Sequence, residues 1–262
     1  VFGGDESLEA DEEAERLWEQ CTDLLPGRVI RLPAKENFWE MGETGPCGVC
    51  SEIHYFVGDD LSIQNQDMLI NDTGDMVEIW NLVFIQYNRE KEGILTPLPS
   101  QHVDTGLGFE RICSVLQGVR SNYESDVFMP LISEISALSD KEYTDAFRTP
   151  IQVIADHVRA LSATIADGAL PSNEGRGYVL RRILRRASRY ARQLDQHEPF
   201  VYKLVEAVSE NLGSIFPEIK EKKSHIELVV RAEEEGFGKT LDRGLEIFER
   251  FSENGIITGD EA

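Results

Sequence analysis

The sequence predicts an α+β protein, with a sheet in its first half and an all-helical region after it. Between residues 37 and about 110, short branched and aromatic runs are separated by Gly, Pro and Asn-Asp turn chemistry. Beyond about residue 128 the apolar positions recur at helical spacing instead. Charge divides the chain in the same way. Residues 1–145 carry 9 basic and 29 acidic side chains, a net of −20, whereas residues 146–262 carry 17 and 19, a net of −2. The expected domains are 1–128 and 129–262, with the break over 129–147.

Taken in order, residues 7–25 predict a helix with Ala14, Leu17, Trp18 and Cys21 on its apolar face and Glu9, Glu12, Glu13 and Glu19 among the solvated positions. "GETGPCG", "VGDD" and "NDTGD" are turn sequences. "VEIWNLVFIQYN", residues 77–88, predicts a strand covered on both faces near the middle of the sheet. Residues 102–118, "HVDTGLGFERICSVLQG", begin as a Gly-punctuated strand and continue as a helix. Glycine weakens a strand unless something must lie against its backbone. Ile151, Ile154, Val158, Leu161 and Ile165 mark one helix, and Leu180, Ile183, Leu184, Ala187 and Leu194 mark a second over about 177–194. Residues 199–253 predict two or three more.

Composition sets bounds. The chain has 262 residues, 41% of them hydrophobic and 28% charged, which is the balance of a globular protein. No stretch reaches the ~18 apolar residues of a membrane span, so no membrane partner is expected. The opening residues lack the basic and apolar regions of a signal peptide, and the chain is expected to be an internal fragment. Four cysteines, at 21, 47, 50 and 113, are too few and too unevenly spaced for a disulfide framework, which points to a reducing cytoplasm. A net charge of −22 disfavours nucleic acid, but its distribution points the other way. "GRGYVLRRILRRASRYARQL", residues 175–194, holds seven arginines and no acid.

"DTGLGFER" resembles motif 3 of the class II aminoacyl-tRNA synthetases, in which strand glycines admit adenine and the arginine grips ATP phosphate. The physics suits that use, since a missing side chain admits a flat ring and a guanidinium offers a rigid donor fork. With "NFWEMGETGPCGVCSEIHY", "EIWNLVFIQYNRE" and "ADHVRALSATIADGALPSNEGRGYVLRRILRRASRYA" in this order, nearly the whole chain resembles the alanyl-tRNA synthetase family. The resemblance implies the C-terminal part of a class II antiparallel sheet including motif 3, followed by a helical tRNA acceptor-stem recognition domain. Motifs 1 and 2 would lie upstream and the editing domain downstream, and the fragment alone would be nearly inert. Two departures are Val49, where the family more often has Pro, and Phe56, where it more often has Asp.

On that resemblance Asp104 would hold the α-ammonium of alanine as a buried carboxylate, and Gly106 would border the same substrate. Asn81 would hydrogen-bond the amino acid, Val83 would touch its methyl, and Trp39 would close the pocket. Asn81 and Val83, two apart on a strand, face one side. For Trp39 and Val83 alone, ordinary core packing is the alternative. Gly106, Gly108 and Arg111 would bind ATP, with Arg111 the catalytic group. Glu78 would meet Mg²⁺, a habit carried over from other class II enzymes; a salt bridge within the sheet is the alternative.

Cys47 and Cys50 have zinc spacing and His54 could be a third ligand, but no further pair completes four. The run reads instead as a Gly/Pro turn carrying two half-buried thiols, and the resemblance puts the family's zinc in the editing domain. In the arginine run, like charges four apart repel without counter-charges, which a phosphate backbone would supply. Arg176, Arg181, Arg182, Arg185, Arg186 and Arg189 are therefore the expected tRNA contacts, with a solvated face as the alternative; the resemblance adds Asn173, reading a G·U pair in the acceptor stem or, alternatively, capping the helix. The expected function is ATP-dependent attachment of alanine to its tRNA through an alanyl-adenylate. A non-catalytic tRNA-binding module is the alternative.

Overall fold

The structure, a computed structural model, describes residues 1–70 and 74–252. The chain divides into two compact units, Val1–Asn122 and Tyr123–Ala262.

In the first unit, helix α1 (Glu12–Cys21) is shorter than the 7–25 expected. Asp11 fixes its start, Oδ1 accepting from the Ala14 amide at 2.9 Å, while Asp5 ties the Ser7 and Leu8 amides into a separate turn upstream. Of the expected apolar face Ala14 is buried, whereas Leu17 and Cys21 are exposed. A short helix α2 (Ala34–Asn37) leads directly into the sheet.

The sheet consists of β1 (Phe38–Glu40), β2 (Gly45–Phe56), β3 (Met76–Arg89) and β4 (Leu95–Leu107), in sequence order and antiparallel throughout. Helix α3 (Asp67–Ile70) lies between β2 and β3 in sequence, and residues 71–73 of the expected "NDTGD" turn lie outside the described residues. Helix α4 (Phe109–Gln117) follows β4 directly and ends at Gly118, whose φ of 67° is the left-handed stop glycine favours.

Two expectations about the sheet need correction. "GETGPCG" bends only over its first three residues, 42–44; from Gly45 it is strand, with Glu40 opposite Cys47 and the Met41 amide donating to the Pro46 carbonyl. Cys47 and Cys50 are therefore buried strand residues rather than half-buried turn thiols. β3 does lie inside the sheet, but it is covered less than expected: Val83 is buried, Trp80 is exposed, and most of its other residues are half-buried. The helices packed on the sheet, α2 against β2 and α4 against β3, are short.

The second unit is helical: α5 (Met129–Ser139), α6 (Arg148–Ala166), α7 (Gly175–Gln193), α8 (Val205–Leu212), α9 (Pro217–Glu221) and α10 (Lys223–Ser252). The five apolar positions that marked α6 are all fully buried, each contributing about 1.5–3 kcal/mol of transfer free energy. α6 packs chiefly on α7 through Leu180, Leu184 and Ala187 of the latter. Residues 199–253 form three α-helices through Ser252, preceded by a 3-10 turn at Val201–Leu204; residue 253 lies outside the described residues.

Candidate functional site

In an antiparallel pair, residues directly opposite each other share a face. The register therefore builds two cross-strand rows on one face: Cys50, Val83 and Asp104 in the first, and Glu52, Asn81 and Gly106 in the second. Trp39 stands opposite Gly48 on β1, beside the point where the register of β2 on β3 shifts. Four expected residues, Asn81, Val83, Asp104 and Gly106, thus share one patch of sheet.

A register shift between Cys47 and Cys50 aligns the rows. It depends on Gly48, where a Cβ would sit 1.8 Å from the Phe84 carbonyl oxygen. Only the missing side chain allows β2 and β3 this approach. Gly106 differs, for a Cβ there would meet nothing within 4 Å. Its face is open to a flat ligand, and nothing inside the described protein requires a glycine.

Asp104 corrects the expectation of a buried carboxylate. It is exposed, because β4 pairs on one side with β3 and, among the described residues, has no strand on its other edge. The half-buried carboxylate of this face is Glu52, which sequence reasoning missed. Glu52 Oε1 accepts from Asn81 Nδ2 at 3.0 Å, and Oε2 lies 2.9 Å from His54 Nε2. An ionised carboxylate only accepts, so His54 carries its proton on Nε2. Asn37, also missed, is buried beside Cys50, its Nδ2 4.0 Å from Sγ. Burial first, and then the Glu52 charge, pushes the Cys50 thiol up to about 11, so it is a neutral packing group at physiological pH. The signal that could have found Glu52 was its place two residues after Cys50, at strand period.

Arg111 lies in the first turn of α4. Its Nη1 donates to the Glu78 carbonyl at 2.7 Å and approaches Glu78 Oε2 at 3.3 Å. Gly108 makes room for this, since a Cβ there would come within 3.0 Å of Arg111 Cδ. The motif arginine and the expected Mg²⁺ carboxylate are thus joined at the C-terminal end of β4, with Arg111 exposed. Among the described residues no three His, Cys, Asp or Glu side chains form a metal-holding group. Glu78 could supply one oxygen to a hydrated Mg²⁺, which takes most of its ligands from water and phosphate.

In the second unit the arginines of α7 separate into two sets. Glu233 of α10 accepts from Arg185 Nε at 3.1 Å and forms an ion pair with Arg181, whose Nε lies 3.0 Å away without a hydrogen bond, and Asp242 pairs with Arg192 Nη2 at 2.7 Å. The expectation of a run without counter-charges is corrected here: α10 supplies them for Arg181, Arg185 and Arg192. Arg176, Arg182, Arg186 and Arg189 are exposed and have no ion pair among the described residues. Arg182 and Arg186 lie along the Tyr178 and Tyr190 rings at 5.9 and 5.7 Å. The capping alternative for Asn173 is also corrected. Glu174 occupies the N-cap without a side-chain bond, and Asn173 Oδ1 accepts from Arg181 instead. Gly177 lets the preceding loop cross the first turn, since a Cβ would meet Ser172 Oγ at 2.2 Å and the Leu170 carbonyl at 2.5 Å.

An antiparallel sheet whose glycine-bearing strand runs into an arginine-bearing helix is the class II synthetase arrangement, and residues 5–261 match the family model "tRNA synthetases class II (A)". The chain belongs to that family. It is 50% identical over 251 residues to an alanine–tRNA ligase of Chlorobium phaeovibrioides, covering 94% of this chain and 28% of that protein. It is 52% identical over 244 residues to the alanine–tRNA ligase of Chlorobaculum tepidum, covering 91% and 27%. For that of Anaeromyxobacter dehalogenans the figures are 47% over 257 residues, 95% and 28%. The chain thus spans somewhat more than a quarter of the length of the relatives it matches.

Proposed function

We propose that this chain forms the amino-acid pocket and part of the ATP site of a cytoplasmic alanine–tRNA ligase, together with a helical unit that binds the acceptor stem of the alanine tRNA. The observation that carries the reading is the pair of cross-strand rows, which gathers Val83, Asp104, Asn81 and Gly106 on one face. In the activation step a carboxylate oxygen of alanine attacks the α-phosphorus of ATP, forming alanyl-adenylate and releasing pyrophosphate. A tRNA 3′-terminal hydroxyl then attacks the alanyl carbonyl carbon and AMP leaves.

The chain's part in this is alignment and charge complementarity. Asp104 holds the ammonium, Val83 meets the methyl and Trp39 covers it. Adenine lies along the backbone at Gly106 and Gly108. Arg111 exchanges its Glu78 partner for ATP phosphate, and Mg²⁺, which neutralises phosphate charge when bound, would meet Glu78. On α7 the exposed set Arg176, Arg182, Arg186 and Arg189 meets phosphate, while Arg181 and Arg185 hold the helix on α10 and Arg181 also orients Asn173. Asn173 retains its Nδ2 donor for a base edge in the shallow RNA minor groove.

ATP–pyrophosphate exchange by the full-length protein tests the reading. Asp104→Ala is expected to raise the alanine KM strongly or abolish exchange. A near-wild-type rate would remove Asp104 from the site. A wild-type protein that binds tRNA but never supports alanine-dependent exchange would instead be a binding module. Asn173→Ala is expected to narrow the charging advantage of G·U over G·C tRNA while adenylate formation stays intact.

A further inference from the structure

We infer that Glu52 is a positioning residue that fixes the polarity of the Asn81 amide, so that Asn81 meets the amino-acid substrate as an acceptor for its ammonium group. The inference rests on the proposed alanine pocket and adds a residue to it. An amide side chain presents a donor at one end and an acceptor at the other, and rotation about its last bond exchanges them. Glu52 removes that freedom. Its ionised carboxylate can only accept, so the end of Asn81 that lies 3.0 Å from Oε1 must be Nδ2. His54 Nε2, at 2.9 Å from Oε2, occupies the other oxygen and holds the carboxylate in place. Both side chains are mostly withdrawn from solvent, at 13% exposure for Glu52 and 18% for His54, so water competes weakly for these bonds.

The opposite end of the amide is then fixed as an acceptor, and it has no partner. Asn81 Oδ1 is buried and without a hydrogen bond, as is Asn37 Oδ1 on the other side of Cys50. Unpaired buried acceptors are unfavourable and rare in folded proteins, so each calls for a donor. A zwitterionic amino acid has donors only on its ammonium; its carboxylate accepts alone. Oδ1 of Asn81 therefore selects the ammonium end, in the row next to Asp104. Were the amide free to turn, Nδ2 would equally take the carboxylate and allow a reversed amino acid, with its reacting oxygens directed away from ATP. Glu52 excludes the reversed mode without itself touching substrate.

Alanine-dependent ATP–pyrophosphate exchange by the full-length protein, with thermal melts, tests this in wild type, Glu52→Gln, Asn81→Asp and the double variant. Glu52→Gln lets the Asn81 amide turn, and is expected to raise the alanine KM by about ten- to a hundredfold, the size of one hydrogen bond to a charged group, with the ATP KM and Tm unchanged. In the double variant the new amide at position 52 donates to one oxygen of the new carboxylate at position 81, whose other oxygen accepts the ammonium, so most of the alanine KM is recovered. Asn81→Asp alone sets two carboxylates against each other and stays impaired. An unchanged alanine KM in Glu52→Gln overturns the inference. If that variant fails to fold, the comparison of the double variant with Asn81→Asp decides: a lower alanine KM supports positioning, and no improvement overturns it. A wild type inactive with alanine fails the pocket reading itself, and the inference falls with it.

Discussion

Replacing Gly48 by Ala places a methyl where β2 and β3 approach most closely. The new Cβ would lie 1.8 Å from the Phe84 carbonyl oxygen and 2.9 Å from its carbon, and both atoms are backbone. Restoring an ordinary contact requires the strands to part by about 1.5 Å, a third of the usual spacing between paired strands. Overpacking of this kind costs about 1–3 kcal/mol, and the ladder bonds flanking the register shift, at about 1 kcal/mol each, are lost with it. A total of about 3–5 kcal/mol in a unit of this size lowers Tm by about 10–20 °C. Trp18, Trp39 and Trp80 are the chain's three tryptophans and all belong to the first unit, so fluorescence reports its melting separately from the helical signal at 222 nm. The fluorescence transition should fall while the transition of the second unit stays in place. A Gly48→Ala chain whose fluorescence midpoint lies within about 2 °C of wild type would refute the close approach, and with it the alignment of Cys50 and Glu52 on Val83 and Asn81.

Three further outcomes are expected. Glu233→Gln, which strands Arg181 and Arg185, should destabilise the second unit by about 1–3 kcal/mol, between exposed and fully buried pairs, whereas Arg182→Ala, Arg186→Ala and Arg189→Ala should leave its melt unchanged and each reduce the salt slope of tRNA binding by about one. Glu234 is held above its ordinary carboxyl value by burial, despite accepting from the Phe200, Val201 and Tyr202 amides at 3.0, 2.9 and 3.1 Å. The folded state binds the extra proton, so this contribution is complete below the unfolded value and is lost as pH rises through the folded one; the Tm of wild type minus that of Glu234→Gln should fall as pH rises above the ordinary carboxyl range, and a rise would reverse the assignment. Alkylation at neutral pH followed by mass spectrometry should modify the exposed Cys21 and spare Cys47 and Cys50 until the chain is denatured, because burial raises both thiols, Cys50 to about 11.

Periodicity determined what a single element decides alone. The five positions picked out by the apolar spacing of α6 are all buried, and the glycines and arginine of "DTGLGFER" marked a strand passing into a helix. The boundaries of α1 escaped it, because a local Asp cap outweighs a weak apolar stripe. The motifs also carried the membership of the class II synthetase family and most of the candidate site. Partners escaped it more completely. Glu52 stands 29 residues from Asn81, and Glu233 stands 48 from Arg185; strand period puts Glu52 on the face of Cys50 but names no partner for it, and Glu233 has no local signature at all. Strand register decided the first pairing and the packing of α10 on α7 decided the second. Sequence spacing tells which face a side chain occupies, but the charge or amide opposite is chosen by whichever distant segment packs there, and that choice exists only in three dimensions.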